Sequence, residues 1–205
     1  MMLTQSVESI DKTMAHTYIL TLGGKRILID AGGKASGDRI ARLFRARGKG
    51  PDVILVTHYH PDHIGGLAQL KREFNPEIYA PAEELQVISG EAKPKPADSF
   101  ISRFVTRMAK VNGVKDVKSV ESLDIPGLEV IRTHGHTPGS TSYLVRKDNA
   151  IFVGDAVHEK NGMLEISRAF TMDFGEAERS RKTIMEFRGV TVYPGHGNPV
   201  MIGQQ

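Results

Sequence analysis

The chain has 205 residues, 40% hydrophobic and 25% charged, with a formal net charge of +3 and a pI near 9.1. That size and composition suit one α/β domain with its own core, and the charge excess falls well short of a nucleic-acid-binding stripe. No apolar run approaches the roughly 18–20 residues of a membrane span, residues 1–16 lack the order of an export signal, and the absence of cysteine removes disulfides, thiolate ligands and a thiol nucleophile. A cytoplasmic location is expected, and any metal must be held by imidazole and carboxylate.

In chain order, His16–Leu22 and Arg26–Asp30 read as two strands joined by a hairpin at Gly23-Gly24. Ser36–Arg47 reads as a helix with Ile40, Leu43 and Phe44 on one face and arginines on the other. Asp52–Thr57 is short, continuously apolar and β-branched, which predicts a strand buried on both faces. A helical pattern follows over Asp62–Phe74, with Ile64, Leu67 and Leu70 inward, then a short strand at Glu77–Ala80. Residues 81–113 are broken by Pro81, Gly90, Pro94 and Pro96 and are read as a helical insertion across the strand ends, over the active site. Its main helix, Asp98–Val111, is predicted to bury Phe100 or Ile101, Phe104 and Met108. Strands resume at Leu128–Thr133, Ser142–Arg146 and Ala150–Val153, with a turn at Lys147-Asp148-Asn149. A helix over Glu176–Phe187 and a strand at Thr191–Tyr193 complete the pattern.

The seven basic residues between Lys93 and Lys118 face only Asp98 and Asp116. That run is either a solvated face or a rim that attracts anions, with Arg103 and Arg107 as the candidate anion-binding groups.

The chemistry concentrates in His58-Tyr59-His60-Pro61-Asp62-His63, three imidazoles and a carboxylate in six positions of a chain with eight histidines. His58 and His60 stand two apart in extended backbone and therefore point the same way, so they can share one metal. Pro61 and Asp62 suit a helix start, which turns Asp62 and His63 back toward a second metal. His136, Asp155 and His196 each follow a predicted strand, and ligands in α/β sheets gather at strand ends. These nitrogen and oxygen donors favour zinc, with iron or manganese as alternatives. His134 and His158, close in sequence to ligands, are candidates to touch substrate or to support a ligand from behind. Ser140 and Thr141 are given no nucleophilic role.

This pattern resembles the metallo-β-lactamase superfamily, with its His-x-His-x-Asp-His motif followed by separate His, Asp and His motifs. Residues 27–32, a strand ending in Asp-x-Gly, and Gly65-Gly66 after the histidine cluster agree with it. The resemblance implies a single domain over residues 1–205 with an αββα sandwich fold. It implies two divalent metal ions, one on His58, His60 and His136, the other on Asp62, His63 and His196, with Asp155 bridging. A metal-bridging hydroxide would cleave an ester, thioester or lactone bond in a small molecule, with Asp62 as the catalytic carboxylate that orients the nucleophile and passes its proton onward. A phosphodiesterase or nuclease and a mononuclear iron persulfide dioxygenase are the alternatives, while His60 argues against the flavodiiron reductases. No specific nucleic-acid or membrane partner is expected, and the oligomeric state is left open.

Overall fold

In the computed structural model, which describes residues 7–10, 13–108 and 112–203, the chain forms two units: residues 1–93 with 110–126, and residues 94–109 with 127–205. In the first unit β1 (Val7–Ile10), β2 (Thr17–Leu22) and β3 (Lys25–Ile29) pair antiparallel, and Gly23-Gly24 makes the β2–β3 turn. α1 (Lys34–Ala46) buries Ile40, Ala41 and Phe44, the face that its periodicity predicts. β4 (Val53–Leu55) lies parallel to β3 on one side and to β5 (Glu77–Ala80) on the other. All three β4 residues are buried, which accounts for the unbroken apolar run.

The single helical stretch expected between β4 and β5 is divided into α2 (Pro61–Ile64) and α3 (Leu67–Phe74). The break falls at Gly65-Gly66, where backbone passes close to backbone. A Cβ on Gly65 would stand 2.3 Å from Lys34 N, and one on Gly66 would stand 2.4 Å from Ala31 O. The glycines thus bring the end of the histidine motif against the chain that leaves β3. α4 (Leu85–Ile88) and β6 (Val117–Ser119) complete the unit, whose sheet runs β1-β2-β3-β4-β5-β6. Its core joins Leu28, Ile40, Phe44, Ile54, Leu67, Leu70 and Ile78. Each such side chain contributes about 1.5–3 kcal/mol by leaving water.

The second unit contains α5 (Phe100–Met108), β7 (Leu128–Arg132), β8 (Thr141–Val145) and β9 (Ala150–Gly154). A short ladder of β10 (His158–Lys160) and β11 (Met163–Glu165) follows, then α6 (Phe174–Met185), β12 (Thr191–Pro194) and β13 (Val200–Met201). The sheet order is β13-β12-β9-β8-β7, with β12 parallel to β9 and the other pairs antiparallel. Leu144, Ile151, Val153, Ile184, Val192 and Ile202 form its core. Asp173 caps α6, its carboxylate accepting from Glu176 N at 2.9 Å. β1, β6, β10, β11 and β13 were not expected from the sequence, because two to four residues are too few to show a period.

One expectation is overturned. α5 (Phe100–Met108) starts two residues later than the predicted helix, whose last residues, 109–111, lie outside those described. It exposes the residues predicted to be buried: Phe100, Ile101, Phe104 and Met108 all face solvent, while Ser102 is buried. The physical reason is a polar anchor. Ser99 Oγ accepts from Ser102 N at 3.0 Å and donates to Ala169 O at 2.6 Å, and Ser102 Oγ accepts from Ala97 N at 2.9 Å. These bonds turn the serine side of the helix inward and its apolar stripe outward. Within the segment 81–113, residues 81–93 belong to the first unit and 94–109 to the second.

Candidate metal centre

In the first unit, β4 delivers the chain straight into Thr57 and His58, and β3 delivers it into Asp30. Asp30 adopts a left-handed backbone, φ 58°, and its N donates to Leu55 O at 2.9 Å. This turns its carboxylate toward the histidine loop. Oδ1 accepts from Thr57 N at 2.8 Å, Oδ2 accepts from Thr57 Oγ1 at 2.8 Å, and Oδ2 also lies 2.7 Å from His63 Nδ1. Thr57 Oγ1 in turn lies 3.0 Å from His58 Nδ1.

These contacts assign both imidazole tautomers. An ionised carboxylate only accepts, so His63 Nδ1 carries the proton that it donates to Asp30. The Thr57 hydroxyl proton is committed to Asp30, so its oxygen accepts from His58 Nδ1–H. In the neutral rings Nε2 is then the lone-pair nitrogen, the form in which imidazole binds a metal. His58 and His63 are fully buried, with ring centroids 4.1 Å apart, and the His58 and His60 rings are 4.7 Å apart, edge to face. His58 and His60 offer ligand atoms within 4.8 Å of each other, as do Asp62 and His63. Pro61 opens α2 and Asp62 lies in its first turn, as the motif predicts. Between the first two histidines, Tyr59 N donates to Oε2 of the fully buried Glu84 at 2.8 Å.

In the second unit Asp155 follows β9, His136 sits in the β7–β8 loop and His196 follows β12. Asp155 Oδ2 stands 3.6 Å from His136 Nε2 and 3.4 Å from His196 Nε2. The His136 loop is held by its own hydroxyls, with Ser140 Oγ accepting from Thr137 N at 3.0 Å and lying 2.8 Å from Thr137 Oγ1. Its main chain is also bonded by the approach to α6, where Met172 N and Asp173 N both donate to Gly135 O.

The remaining candidates are placed less tightly. His134 is half-buried, and its carbonyl accepts from Ser180 Oγ at 2.7 Å. His158 is half-buried on β10, opposite Glu165. Arg103 and Arg107 lie exposed on α5, where Arg103 pairs with Asp98. Lys115 and Lys118 belong to the first unit and pair with Glu91 and Glu77. The basic run is therefore divided between the units and partly neutralised.

Sequence reasoning gave no role to Asp30, Thr57 or Glu84. For Asp30 a signal existed in the Asp-x-Gly that ends its strand. For the others none did, since each is tied to the site by contacts only folding creates.

His58 and His63 have Nδ1 engaged by oxygen, and His136 and His196 bring Nε2 to the Asp155 carboxylate; imidazole and carboxylate donors of this kind fit divalent metal ions. Comparison with known proteins agrees. A Bacillus subtilis relative, "Probable metallo-hydrolase YybB", is 28% identical over 191 residues, covering 93% of this chain and 84% of the relative. "Hydroxyacylglutathione hydrolase GloC" of Haemophilus influenzae is 25% identical, covering 87% of this chain and 82% of its own. Among solved structures, that of TTHA1623 in a di-iron-bound form superposes with a TM-score of 0.75 at 23% identity, covering 96% of this chain and 94% of its own. The "BLEG-1 B3 metallo-beta-lactamase" structure matches with the same score, identity and coverage. The fold is therefore that of the metallo-β-lactamases, as the sequence resemblance implied. The model of the metallo-beta-lactamase superfamily matches residues 10–196, well over half of the length, and the chain belongs to that superfamily.

Proposed function

We propose that this metal-dependent hydrolase cleaves an ester, thioester or lactone bond in a small molecule at a centre of two divalent ions, zinc being the best fit to an all-nitrogen-and-oxygen donor set. His58, His60 and His136 would hold one ion, and Asp62, His63 and His196 the other, with Asp155 shared. The observation that carries this reading is the Asp155 carboxylate, within 3.6 Å of His136 Nε2 and 3.4 Å of His196 Nε2. One carboxylate addressing two imidazoles of different assigned ions suits a shared ligand.

When bound, such ions activate water near neutral pH and polarise the acceptor oxygen of the substrate. The chain's own residues supply orientation and proton handling. Asp30 and Thr57 hold His63 and His58 in the Nδ1–H tautomer, with Nε2 left as the lone-pair nitrogen, so neither ring must reorganise on binding. Asp62 would orient the attacking water and take its proton at a carboxylate oxygen. His134 and His158, half-buried near His136 and Asp155 in sequence, would contact the substrate. Arg103 and Arg107 would attract an anionic part of it, beside the exposed Phe100 and Phe104.

Two measurements test the proposal together. Protein reconstituted with excess zinc or manganese is expected to hold about two equivalents per chain, as a two-ion site requires. A panel of chromogenic esters, thioesters, lactones and phosphodiesters is expected to show the highest kcat/KM on an acyl substrate. Saturation at one equivalent would overturn the two-ion centre. Preference for phosphodiesters, or oxygen uptake with a persulfide, would replace the hydrolytic assignment with one of the other chemistries of the fold.

A further inference from the structure

The three assigned ligands of the second unit are not held alike. The His136 side chain is 1% exposed and that of Asp155 12%, so packing confines both, whereas His196 is 42% exposed. Packing confines the His196 side chain less, so the backbone that carries it matters more, and that backbone is held at three points. Gly195 N donates to Gly154 O at 2.7 Å, immediately before Asp155, and Glu159 N donates to His196 O at 3.0 Å. Glu159 Oε2 then accepts from Asn198 N at 2.9 Å, with Asn198 Nδ2 at 3.5 Å. The other carboxylate oxygen accepts from Gly162 N at 2.6 Å, which fixes the glutamate against the β10–β11 turn.

Between the two Glu159 contacts lies Gly197, with φ 91°. A Cβ there would come within 2.5 Å of Glu159 O and 2.7 Å of Glu159 Cβ. Only glycine allows the loop to lie so close to the glutamate, and that approach lets one residue bond the chain on both sides of position 197. The bonds to its carboxylate are charge-assisted and use both oxygens.

We infer that Glu159 is a positioning residue for His196: by clasping residues 196 and 198 it sets the imidazole against Asp155 and so controls retention of the ion that His196 would hold. This inference rests on the ligand assignment proposed above. Glu159 acts through the backbone and does not touch substrate, so its loss should lower metal retention and kcat while leaving KM unchanged.

The test compares the zinc-loaded full chain with Glu159→Gln, Glu159→Ala and a remote control in the same unit, Glu129→Gln. Three quantities are read: zinc release to a chromogenic chelator, the visible spectrum of the cobalt-substituted protein, and the urea midpoint after metal removal. Glu159→Ala is expected to weaken retention of one ion by about 10–100-fold, the usual effect of removing an outer partner of a metal ligand. Glu159→Gln, which keeps one acceptor oxygen and the side-chain shape, should fall between Glu159→Ala and the parent. It also carries the test if Glu159→Ala does not fold. The cobalt spectrum should change in both, while Glu129→Gln matches the parent. Parental release and spectra in the Glu159 variants would overturn the inference, as would metal loss that only tracks the urea midpoint across all variants. His196→Ala separates the two readings. If it releases zinc as the parent does, the ligand assignment itself fails. If it loses one ion while the Glu159 variants do not, only the clasp is wrong.

Discussion

Asp30 Oδ2 lies 2.7 Å from His63 Nδ1, with the two side chains 2% and 0% exposed, and the same carboxylate binds Thr57 through both oxygens. One buried acid thus orients a histidine directly and a second, His58, through a threonine.

Asp30→Asn isolates this effect, because asparagine keeps the shape and tolerates the left-handed backbone that Asp30 adopts. Its single carbonyl oxygen cannot replace both carboxylate oxygens. Metal affinity is expected to fall about 10–100-fold, and stability by about 1–3 kcal/mol for a buried network left incomplete. Chelator competition and urea unfolding measure the two effects. Parental affinity in a folded variant would show that the tautomers are set elsewhere.

Asp155 and Ser140 make opposite predictions. Asp155→Ala should lower kcat/KM by more than the roughly 100-fold that outer partners cost, with loss of bound metal. Ser140 Oγ is buried and occupied with Thr137, so Ser140→Ala should cost about 1 kcal/mol of stability and keep most of the activity. Mass spectrometry during turnover should find no acyl group on any serine. An acylated serine, or activity surviving Asp155→Ala, would remove the metal-centred mechanism.

The exposed arginines of α5 supply a third test. Replacing Arg103 and Arg107 together by Ala should raise KM for anionic substrates much more than for neutral ones, at unchanged metal content. The difference should shrink as salt is added, since exposed charges act through a screened field. Equal effects on both substrate classes would make α5 a solvated face, as the Arg103–Asp98 pair already makes it in part.

A pH dependence follows from Glu77. Its hydrogen bond to the Lys118 ammonium at 2.5 Å, with Lys25 at 3.9 Å, holds its carboxyl below the usual glutamate range. The folded value is lower than the unfolded one, so on acidification the unfolded chain binds the proton first. The contribution is therefore complete above the unfolded value of about 4.3 and is lost as pH falls through the folded value. Glu77→Gln should lower the urea midpoint at pH 7 and converge on the parent as pH falls through the folded value. Because both partners are largely solvated, the effect should be small and sensitive to salt. A gap between variant and parent that persists at low pH would assign the role of Glu77 to packing rather than charge.

What the sequence determined by itself was everything encoded within a few residues. The unbroken apolar run of β4, the hairpin at Gly23-Gly24 and the predicted strands before His58, His136, Asp155 and His196 are local patterns, and hydrogen bonding and side-chain alternation act at that range. The six-residue histidine motif was legible for the same reason. Tertiary structure alone decided which distant groups meet: Asp30 reaches His63 across 33 positions, and Glu159 reaches Asn198 across 39. It also decided the face of α5. Periodicity shows that an apolar stripe exists, but only the Ser99–Ala169 and Ser102–Ala97 bonds determine that this stripe, and not the serine side, meets the water. A helix turns toward whichever neighbour satisfies its buried polar groups, and those neighbours are chosen by the fold.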